Sequence, residues 1–389
     1  MTTALTHRND LAIVLDGGGA RAAYQVGLLR WLARRYPDLR IPLITGVSAG
    51  AINAAYLAAH RGTFSEAVEE LVEVWTRLSV PDVFRVDSRS LVGNLSSWGL
   101  RLVGGGRAVR PPTRGLVDTA PLRDTLRHAY DLDERGVLTG IAKNLEDDRL
   151  VALAIVTSSY TTGRTVAWVQ GRAIQHWERP FRHSTQADIT IEHVMASGAL
   201  PLLFPAVQLG DAWYGDGGIR LVTPFSPAIH LGARRILALS TRYARSLPGS
   251  AVPQVTGYPP PVQIAGQLLS AIFLDDHDRD ALALQRINGL LAGRPDGAVP
   301  GLRHIDLVLI RPSRDLAKLA GQYEPHLPKL FRHLMRGTGT RETTTPDVLS
   351  LVTFDSNYLK ALVEIGEADA EARAGAIETL IEAPPPEDS

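Results

Sequence analysis

The chain has 389 residues, of which 45% are hydrophobic and 21% are charged, so it is long enough for one large α/β domain or a domain with an appended module. Lysine plus arginine and aspartate plus glutamate number 41 each, and this balance gives no net charge that would favour nucleic acid as a partner. Because the sequence contains no cysteine, disulfides, thiolate catalysis and cysteine-ligated metal sites are excluded.

The sequence also bears on whether the protein is secreted or spans a membrane. The first ten residues are polar and do not form the charged and apolar regions of a secretory signal. No uninterrupted apolar run approaches the roughly 20 residues that span a bilayer as a helix. We therefore expect a cytoplasmic protein, with peripheral membrane contact left open and the oligomeric state undetermined.

The first predicted element is a buried parallel strand over Leu11–Leu15, a continuous apolar run rich in β-branched residues. It leads into the loop Asp16–Arg21 (DGGGAR), after which apolar residues repeat with helical spacing. Three consecutive glycines before a helix leave backbone N–H groups uncovered by side chains, and such groups bind anions or an oxyanion. Arg21 adds a positive charge near this loop or ties the loop down.

Two chemistries fit the glycine loop. The spacing Gly17-x-Gly19-x-x-Ala22 satisfies a dinucleotide fingerprint, which also expects an acidic residue at the end of the next strand. The next predicted strand, Ile41–Thr45, runs into Ser48 without a carboxylate. The alternative is an oxyanion hole for acyl transfer, because the loops that follow two neighbouring parallel strands lie side by side.

Ser48 is the candidate nucleophile. It stands between Gly46 and Gly50, where a strand is predicted to turn sharply into a helix. Such a turn holds a serine hydroxyl exposed, and the glycines let neighbouring backbones approach it closely. The simpler interpretation is an ordinary strand-to-helix turn in which Ser48 caps the helix.

The next segments are predicted to be mainly scaffold. An amphipathic helix is predicted over Thr63–Leu78 and another helix from Asp118 to about Ala129. Between them, residues 85–114 combine arginines, interleaved apolar residues and a glycine triplet. This composition fits a lid or an interfacial contact for anionic lipid, and it also fits a surface excursion packed on the domain.

Asp216 is the second candidate for chemistry. It follows an aromatic strand end and precedes Gly217 and Gly218, so another loop can approach its carboxylate. A carboxylate that bonds directly to a serine in a water-poor pocket can serve as its base. The alternative is a simple β-turn, because Asp-Gly is common in turns.

The remaining pattern predicts the domain organisation. A core spans residues 8–245, a loop or linker rich in proline and glycine spans 246–262, and an acidic tail spans 384–389. Residues 263–383 are predicted to form a mostly helical extension with one strand, packed on the core. The elements predicted in these parts are the strands Val151–Thr157, Thr165–Val169, Arg235–Ser240 and Ile305–Ile310 and the helical stretches Ile191–Met195, Ile264–Leu291, Leu327–Met335 and Leu359–Ala383.

The motifs around Asp16, Ser48 and Asp216, in this order, resemble those of the bacterial patatin-like phospholipases and acyl hydrolases. The likeness runs from about Leu11 to Ser240, with support at 196–205 and 224–232. It implies a three-layer α/β/α fold with a mainly parallel central sheet and additional C-terminal helices. It also implies a serine acyl hydrolase that cleaves lipid carboxylic esters, as a phospholipase A, lysophospholipase or esterase, without a metal or a cofactor.

The same resemblance implies a Ser-Asp dyad that works through an acyl-enzyme. A Ser-His-Asp hydrolase fits less well, because Ser48 follows only one strand-helix unit and none of the histidines considered lies in a glycine-flanked loop. The alternatives are a dinucleotide-binding Rossmann-type enzyme and a catalytically inactive, lipid- or protein-binding member of the same fold. Mapped onto this sequence, the implied catalytic residues are Ser48 and Asp216. The residues implied around them are Gly17, Gly18, Gly19 and Arg21 in the oxyanion hole, Gly46 and Gly50 in the nucleophile turn, and Gly217 and Gly218 in the acid loop. The sequence departs from the family pattern at Ala22 and Ala206.

Overall fold

The computed structural model describes residues 9–85, 115–172, 174–243, 276–294, 298–328, 332 and 347–383. Within these residues one ten-stranded sheet forms the centre of the molecule. Its strands are β1 (Leu11–Leu15), β2 (Leu43–Val47), β3 (Ala152–Ser159), β4 (Thr165–Gly171), β5 (Glu178–Arg179), β6 (Arg182–Gln186), β7 (Val207–Leu209), β8 (Ala212–Asp216), β9 (Arg235–Leu239) and β10 (Asp306–Ile310).

Helices surround this sheet, and most of them are short. Three single 3₁₀ turns accompany them at Gly19–Ala22, Gly217–Arg220 and Glu324–His326. The described helices are α1 (Ala23–Arg35), α2 (Ala49–Ala59), α3 (Phe64–Arg77), α4 (Val80–Val83), α5 (Ala120–Ala129), α6 (Thr139–Glu146), α7 (Ile191–Ser197), α8 (Ser226–His230), α9 (Asp276–Leu291), α10 (Leu316–Tyr323), α11 (Asp347–Val352), α12 (Ser356–Ala372) and α13 (Ala374–Glu382).

The sheet is mainly parallel. Its order is β10-β9-β1-β2-β3-β4-β6-β5, and the pairs from β10 to β3 are all parallel. Strand β4 reverses direction against β3, and β8 pairs antiparallel with the last residues of β3. The fold is therefore a mixed α/β architecture with a mostly parallel central sheet, as the sequence predicted.

Each face of the sheet has its own hydrophobic core. Along β1, Leu11, Ile13 and Leu15 face the larger core, whereas Ala12 and Val14 face the smaller one. Helices α1, α2 and α12 contribute to the larger core, and α8 and α9 contribute to the smaller one. Because both faces of this parallel strand are covered, all of its residues are apolar and form a continuous run in the sequence.

Helix α12, in the C-terminal part of the chain, crosses α1 at a close approach. A Cβ atom at Gly27 would overlap the carbonyl oxygen of Val363, and one at Gly366 would overlap that of Tyr24. The phenol of Tyr24 donates to Asp369 Oδ2 at 3.0 Å. Strand β10 also joins the sheet beside β9, so the C-terminal part of the chain supplies both helices and a sheet strand.

Several predicted elements differ from the structure. The second strand is Leu43–Val47 and not Ile41–Thr45, which brings its end directly to Ser48. The strand end predicted before Asp216 is β8, whereas β5 to β7, α4, α6, α10 and α11 were not predicted, because these elements are short and β6 (RHSTQ) carries no apolar pattern. Leu327 and Pro328 are not helical. The other residues predicted from 329 to 335, apart from Arg332, lie outside the described residues, as do residues 86–114, the 246–262 linker and the 384–389 tail.

No helix in the described part of the chain is both long and apolar enough to cross a membrane. The division of the chain into a core and an extension stays a prediction, because the segment predicted to join them is outside the described residues.

We expect Gly27→Ala to lower the free energy of unfolding by about 1–3 kcal/mol, because the added methyl group must push α12 away from α1. Gly321→Ala in α10 is the matched control, since nothing lies within 4 Å of its ideal Cβ position, and it should be neutral or stabilising by about 0.5–1 kcal/mol. Urea unfolding of both variants measures the difference. Equal effects at the two glycines would contradict the close helix crossing.

Candidate active site

Strand β3 brings the two candidate catalytic residues together. Val47, the last residue of β2, pairs with Val156 of β3, and Asp216, the last residue of β8, pairs with Thr157. Because β4 occupies the other side of β3 along its length, β2 and β8 must lie on the same side, with their C-terminal ends meeting. Ser48 and Asp216 therefore converge at adjacent positions along β3.

The Ser48 hydroxyl donates a hydrogen bond to Asp216 Oδ2 at 2.6 Å. Ser48 occupies the N-cap position of α2 but makes no side-chain capping bond, so the simple capping interpretation does not describe its hydroxyl. Its φ of 56° and ψ of −132° are rarely adopted by residues other than glycine, and such strain is typical of functional turns. The turn was predicted to hold the hydroxyl exposed, whereas Ser48 is only 3% exposed and lies at a pocket.

Ser197, at the end of α7, holds the turn that carries Ser48. The Ser48 N–H donates to Ser197 Oγ at 2.9 Å, and Ser197 Oγ donates to the Val156 carbonyl at 2.6 Å. Ser197 is fully buried, so this hydroxyl is a fixed bridge between the serine turn and β3. From the sequence, the stretch around Ser197 was only support for the resemblance, because nothing local indicates its contact with Ser48.

The Asp216 carboxylate is fully buried and well held. Its Oδ1 accepts a bond from the Gly218 N–H at 2.9 Å, and the Asp216 N–H donates to the Ala199 carbonyl at 3.0 Å. Burial raises the pKa of Asp216 to about 7; the bonds from Ser48 and Gly218 act in the opposite direction, and the nearby Asp16 carboxylate adds to the rise. A carboxyl group with a pKa near 7 can exchange a proton near neutral pH.

Glycines are needed where the loops approach one another. A Cβ atom at Gly17 would lie 2.8 Å from Ser48 Cβ, and one at Gly217 would overlap the Val156 carbonyl. In the nucleophile turn, Gly46 faces Ala54 of α2, and Gly50 faces the backbone that joins β1 to the glycine loop. The predicted side-by-side arrangement of the glycine loop and Ser48 is thus present, since β1 and β2 are parallel neighbours.

The three glycines of the glycine loop are not equivalent. The Gly17 N–H donates to Asp16 Oδ1 at 2.8 Å, so this amide is engaged within the loop. Gly18 and Gly19 have φ values of 149° and 55°, a region that favours glycine. The amides that remain candidates for an oxyanion are those of Gly18 and Gly19.

Arg21 ties the glycine loop to the C-terminal part of the chain. Its side chain is buried, and its Nε donates to Ser350 Oγ in α11 at 2.7 Å. Of the two roles considered from sequence, this bond favours that of an anchor. Gly19 packs against the carbonyl of Leu351 in the same helix, which fixes the loop from a second position.

Asp16 forms a buried polar cluster behind the glycine loop. Its Oδ2 accepts a bond from Ser240 Oγ at 3.2 Å and lies 3.5 Å from His277 Nε2 in α9. Burial raises the pKa of Asp16, while His277 acts in the opposite direction. The sequence analysis did not single out Asp16 or His277 as separate site residues, because they are far apart in the chain. Among the described residues, Ser48 Oγ is bonded to a carboxylate and not to an imidazole.

An apolar pocket opens directly beside Ser48. Apart from the serine and its glycine neighbours, hydrocarbon side chains supply most of its lining. They come from helices on the larger core and from the loop that follows α7, so the pocket joins the serine to the hydrophobic interior. Its main apolar contributors are Ile52, Trp75, Leu126, Leu200, Phe204 and Phe354.

The geometry argues against a dinucleotide at the glycine loop. Cβ positions at Gly18 and Gly19 are taken by Thr241 and the Leu351 backbone, so the loop is packed closely against other parts of the chain. The strand beside it, β2, leads into Ser48 and not into a ribose-binding carboxylate. In the described residues, no group of three or more metal-ligating side chains is placed to hold a metal ion.

Comparison with known proteins gives a family and a set of similar folds. Residues 13–229 match the family model "Patatin-like phospholipase". No curated protein sequence matches the chain significantly.

Among solved structures, VipD from Legionella pneumophila is similar, with 14% identity, a TM-score of 0.38, and an alignment covering 97% of this chain and 67% of that one. Human GIVD cytosolic phospholipase A2 is also similar, with 11% identity, a TM-score of 0.48, and coverage of 96% and 62%. The chain therefore spans less than two thirds of the human enzyme's length.

We expect Ser197→Ala to lower the free energy of unfolding by about 1–3 kcal/mol, because the buried Ser48 N–H and Val156 carbonyl both lose their partner. Chemical denaturation followed by circular dichroism measures this loss. The control is Ser65→Ala in α3, where the side chain is partly exposed and the change should stay within about 0.5 kcal/mol. A neutral Ser197→Ala would show that the bridge does not hold the turn.

Proposed function

Since the chain belongs to the patatin-like phospholipase family, and is thus a lipid-hydrolysing enzyme, we propose that it cleaves lipid carboxylic esters with Ser48 as nucleophile and Asp216 as general base. The observation that carries the proposal is the 2.6 Å hydrogen bond between Ser48 Oγ and Asp216 Oδ2. Peripheral contact with a membrane is part of the proposal, because the substrate is a lipid.

The reaction begins with proton transfer within the dyad. Asp216 accepts the Ser48 proton as Oγ attacks the ester carbonyl carbon, and the carbonyl oxygen becomes an oxyanion. Collapse of the tetrahedral intermediate breaks the bond to the alcohol oxygen, which takes the proton from Asp216 and leaves an acyl-enzyme. Water then repeats the sequence: Asp216 takes its proton, the hydroxide adds to the acyl carbon, and Ser48 leaves with the proton returned. The products are an alcohol and a fatty acid.

Backbone amides are the proposed stabilisers of the oxyanion. The amides of Gly18 and Gly19 belong to a loop that packs against the Ser48 turn, and α2 begins at Ala49, immediately after the nucleophile. N–H groups at a helix N-terminus carry partial positive charge. One donor of this kind contributes about 3–4 kcal/mol to transition-state stabilisation in serine hydrolases.

The apolar pocket supports a fatty acyl chain as the group transferred to Ser48. Its lining by Leu126, Leu200 and Phe204 offers hydrocarbon contacts but few hydrogen-bonding groups. Burying a methylene group there stabilises the complex by about 0.8 kcal/mol, so a chain of several carbons gains substantial affinity.

The proposal is tested by labelling with a fluorophosphonate, a probe that forms a covalent bond with an activated serine. We expect mass spectrometry to find the label on the peptide that contains Ser48. Asp216→Asn should lower both labelling rate and esterase kcat by at least about 10³-fold, because the base is lost while the side-chain shape is kept.

Ser48→Ala should abolish labelling and hydrolysis, and Ser65→Ala, a serine of α3 remote from the dyad, should leave both unchanged. Labelling of a different serine would contradict the role of Ser48. Full activity in Asp216→Asn would contradict the role of Asp216, and absence of any labelling of the native chain would favour an inactive member of the fold.

We expect the acid limb of kcat/KM to lie near pH 7 and not near pH 4. The mechanism needs ionised Asp216, whose pKa is raised to about 7, so protonation on acidification removes the base. Activity should therefore rise with pH up to about 7 and fall about tenfold for each unit below it. A pH profile with a soluble ester measures the limb, and a limb near the ordinary value of about 4 would contradict the effect of burial.

A further inference from the structure

Several large apolar side chains are exposed along one margin of the sheet. The parallel strands β2 and β3 end at this margin, which is therefore also the margin where Ser48 and Asp216 lie. We define the apolar margin as Tyr160, Phe181, Trp213 and Val222, whose exposed fractions are 49%, 72%, 37% and 58%.

Hydrogen bonds show that these residues are neighbours. The Tyr160 N–H donates to the Trp213 carbonyl at 2.8 Å, and the Thr165 N–H donates to the Phe181 carbonyl at 2.8 Å. Thr165 Oγ1 donates to the Arg220 carbonyl at 3.3 Å, and the same carbonyl accepts the Val222 N–H at 3.0 Å. Three turns, from β3 to β4, from β5 to β6 and after β8, thus present one continuous surface.

The apolar margin lies close to the candidate active site. Trp213 and Asp216 belong to the same strand and are three positions apart, which corresponds to about 10 Å at 3.3 Å per residue. On the neighbouring strand, Tyr160 follows Thr157, the pairing partner of Asp216, by the same interval. The apolar margin and the dyad therefore lie at the same end of β3 and β8, within about 10 Å of each other along the strand.

The charges around the apolar margin are mainly positive. Its turns carry four arginines, of which Arg179 and Arg220 are exposed. The acidic residues near these arginines are Glu178, which pairs with Arg164, Asp211 in the turn from β7 to β8, and Asp280, whose charge acts on Arg182. Arg182 is half-buried, and burial lowers its pKa while Asp280 acts in the opposite direction. The full chain has no net charge, so this local excess is a feature of the surface and not of the composition.

We propose that the apolar margin and its arginines dock the protein on a bilayer that contains anionic phospholipid. Exposed aromatic rings suit the boundary between headgroups and acyl chains, where one end of the side chain is apolar and the other is wet. The arginines then meet lipid phosphates and the negative surface potential of the bilayer. This inference rests on the proposed function, because it places the lipid beside the proposed dyad.

The test is co-sedimentation of the full chain with phosphatidylcholine vesicles, with and without phosphatidylglycerol. We expect tighter binding when phosphatidylglycerol is present and when salt is low. Phe181→Ser should weaken binding to both kinds of vesicle by about tenfold or more, because a phenyl group leaves the interface. Arg179→Glu combined with Arg220→Glu should lower the affinity for the phosphatidylglycerol vesicles alone, by about tenfold or more.

Matched controls come from other surfaces of the protein. Leu290→Ser removes an apolar side chain of α9 that is 69% exposed, and Arg61→Glu reverses an exposed charge beyond the far end of α2. Both variants should bind vesicles like the native chain. Circular dichroism checks that all variants are folded, which the exposure of the altered side chains favours.

Hydrolysis of a soluble short ester separates this inference from the proposed function. The apolar-margin variants should keep that activity, because none of them touches Ser48 or Asp216. Vesicle binding that is equal in Phe181→Ser and Leu290→Ser, or no vesicle binding at all, would overturn the docking surface even if the ester is cleaved. Vesicle binding with the expected pattern but no ester cleavage by the native chain would instead overturn the proposed function and leave the surface in place.

Discussion

The candidate site depends on the way two strands share one side of β3. Strand β2 pairs with its first part and β8 with its end, so a parallel and an antiparallel strand arrive at the same point from opposite directions. Ser48 leaves one of these strands and Asp216 ends the other. The short hydrogen bond between them is therefore a consequence of backbone pairing, which is more rigid than any loop that could hold two side chains together.

Burial determines the pKa of Asp216 and the access to Ser48. Asp216 is removed from water, and within the described part of the chain its carboxylate accepts bonds from Ser48 and Gly218. Burial raises the pKa of Asp216 to about 7, so a residue that is ordinarily a weak base can accept a proton near neutral pH. The same enclosure leaves Ser48 almost inaccessible from bulk solvent and opens it toward an apolar pocket, which suits a lipid chain better than a polar substrate.

Residues beyond the family match complete the glycine loop. The match ends at residue 229, yet Asp16 is held by Ser240 and His277, and Arg21 by Ser350. Leu351 adds its backbone against Gly19. Residues of α9 and α11, in the C-terminal part of the chain, are thus part of the packing around the glycine loop.

The sequence by itself determined the buried strands β1, β3 and β9, the glycine loop and the identity of Ser48 and Asp216 as candidates, because these are local patterns of apolar runs and glycines. Only the tertiary structure decided that the Ser48 hydroxyl faces Asp216, that Ser197 bridges the turn and that the Gly17 amide is already engaged. It also located the polar strand β6, which no apolar pattern marks. The physical reason is that contacts between residues far apart in the chain follow from sheet pairing and burial, and neither leaves a periodic signal in the sequence.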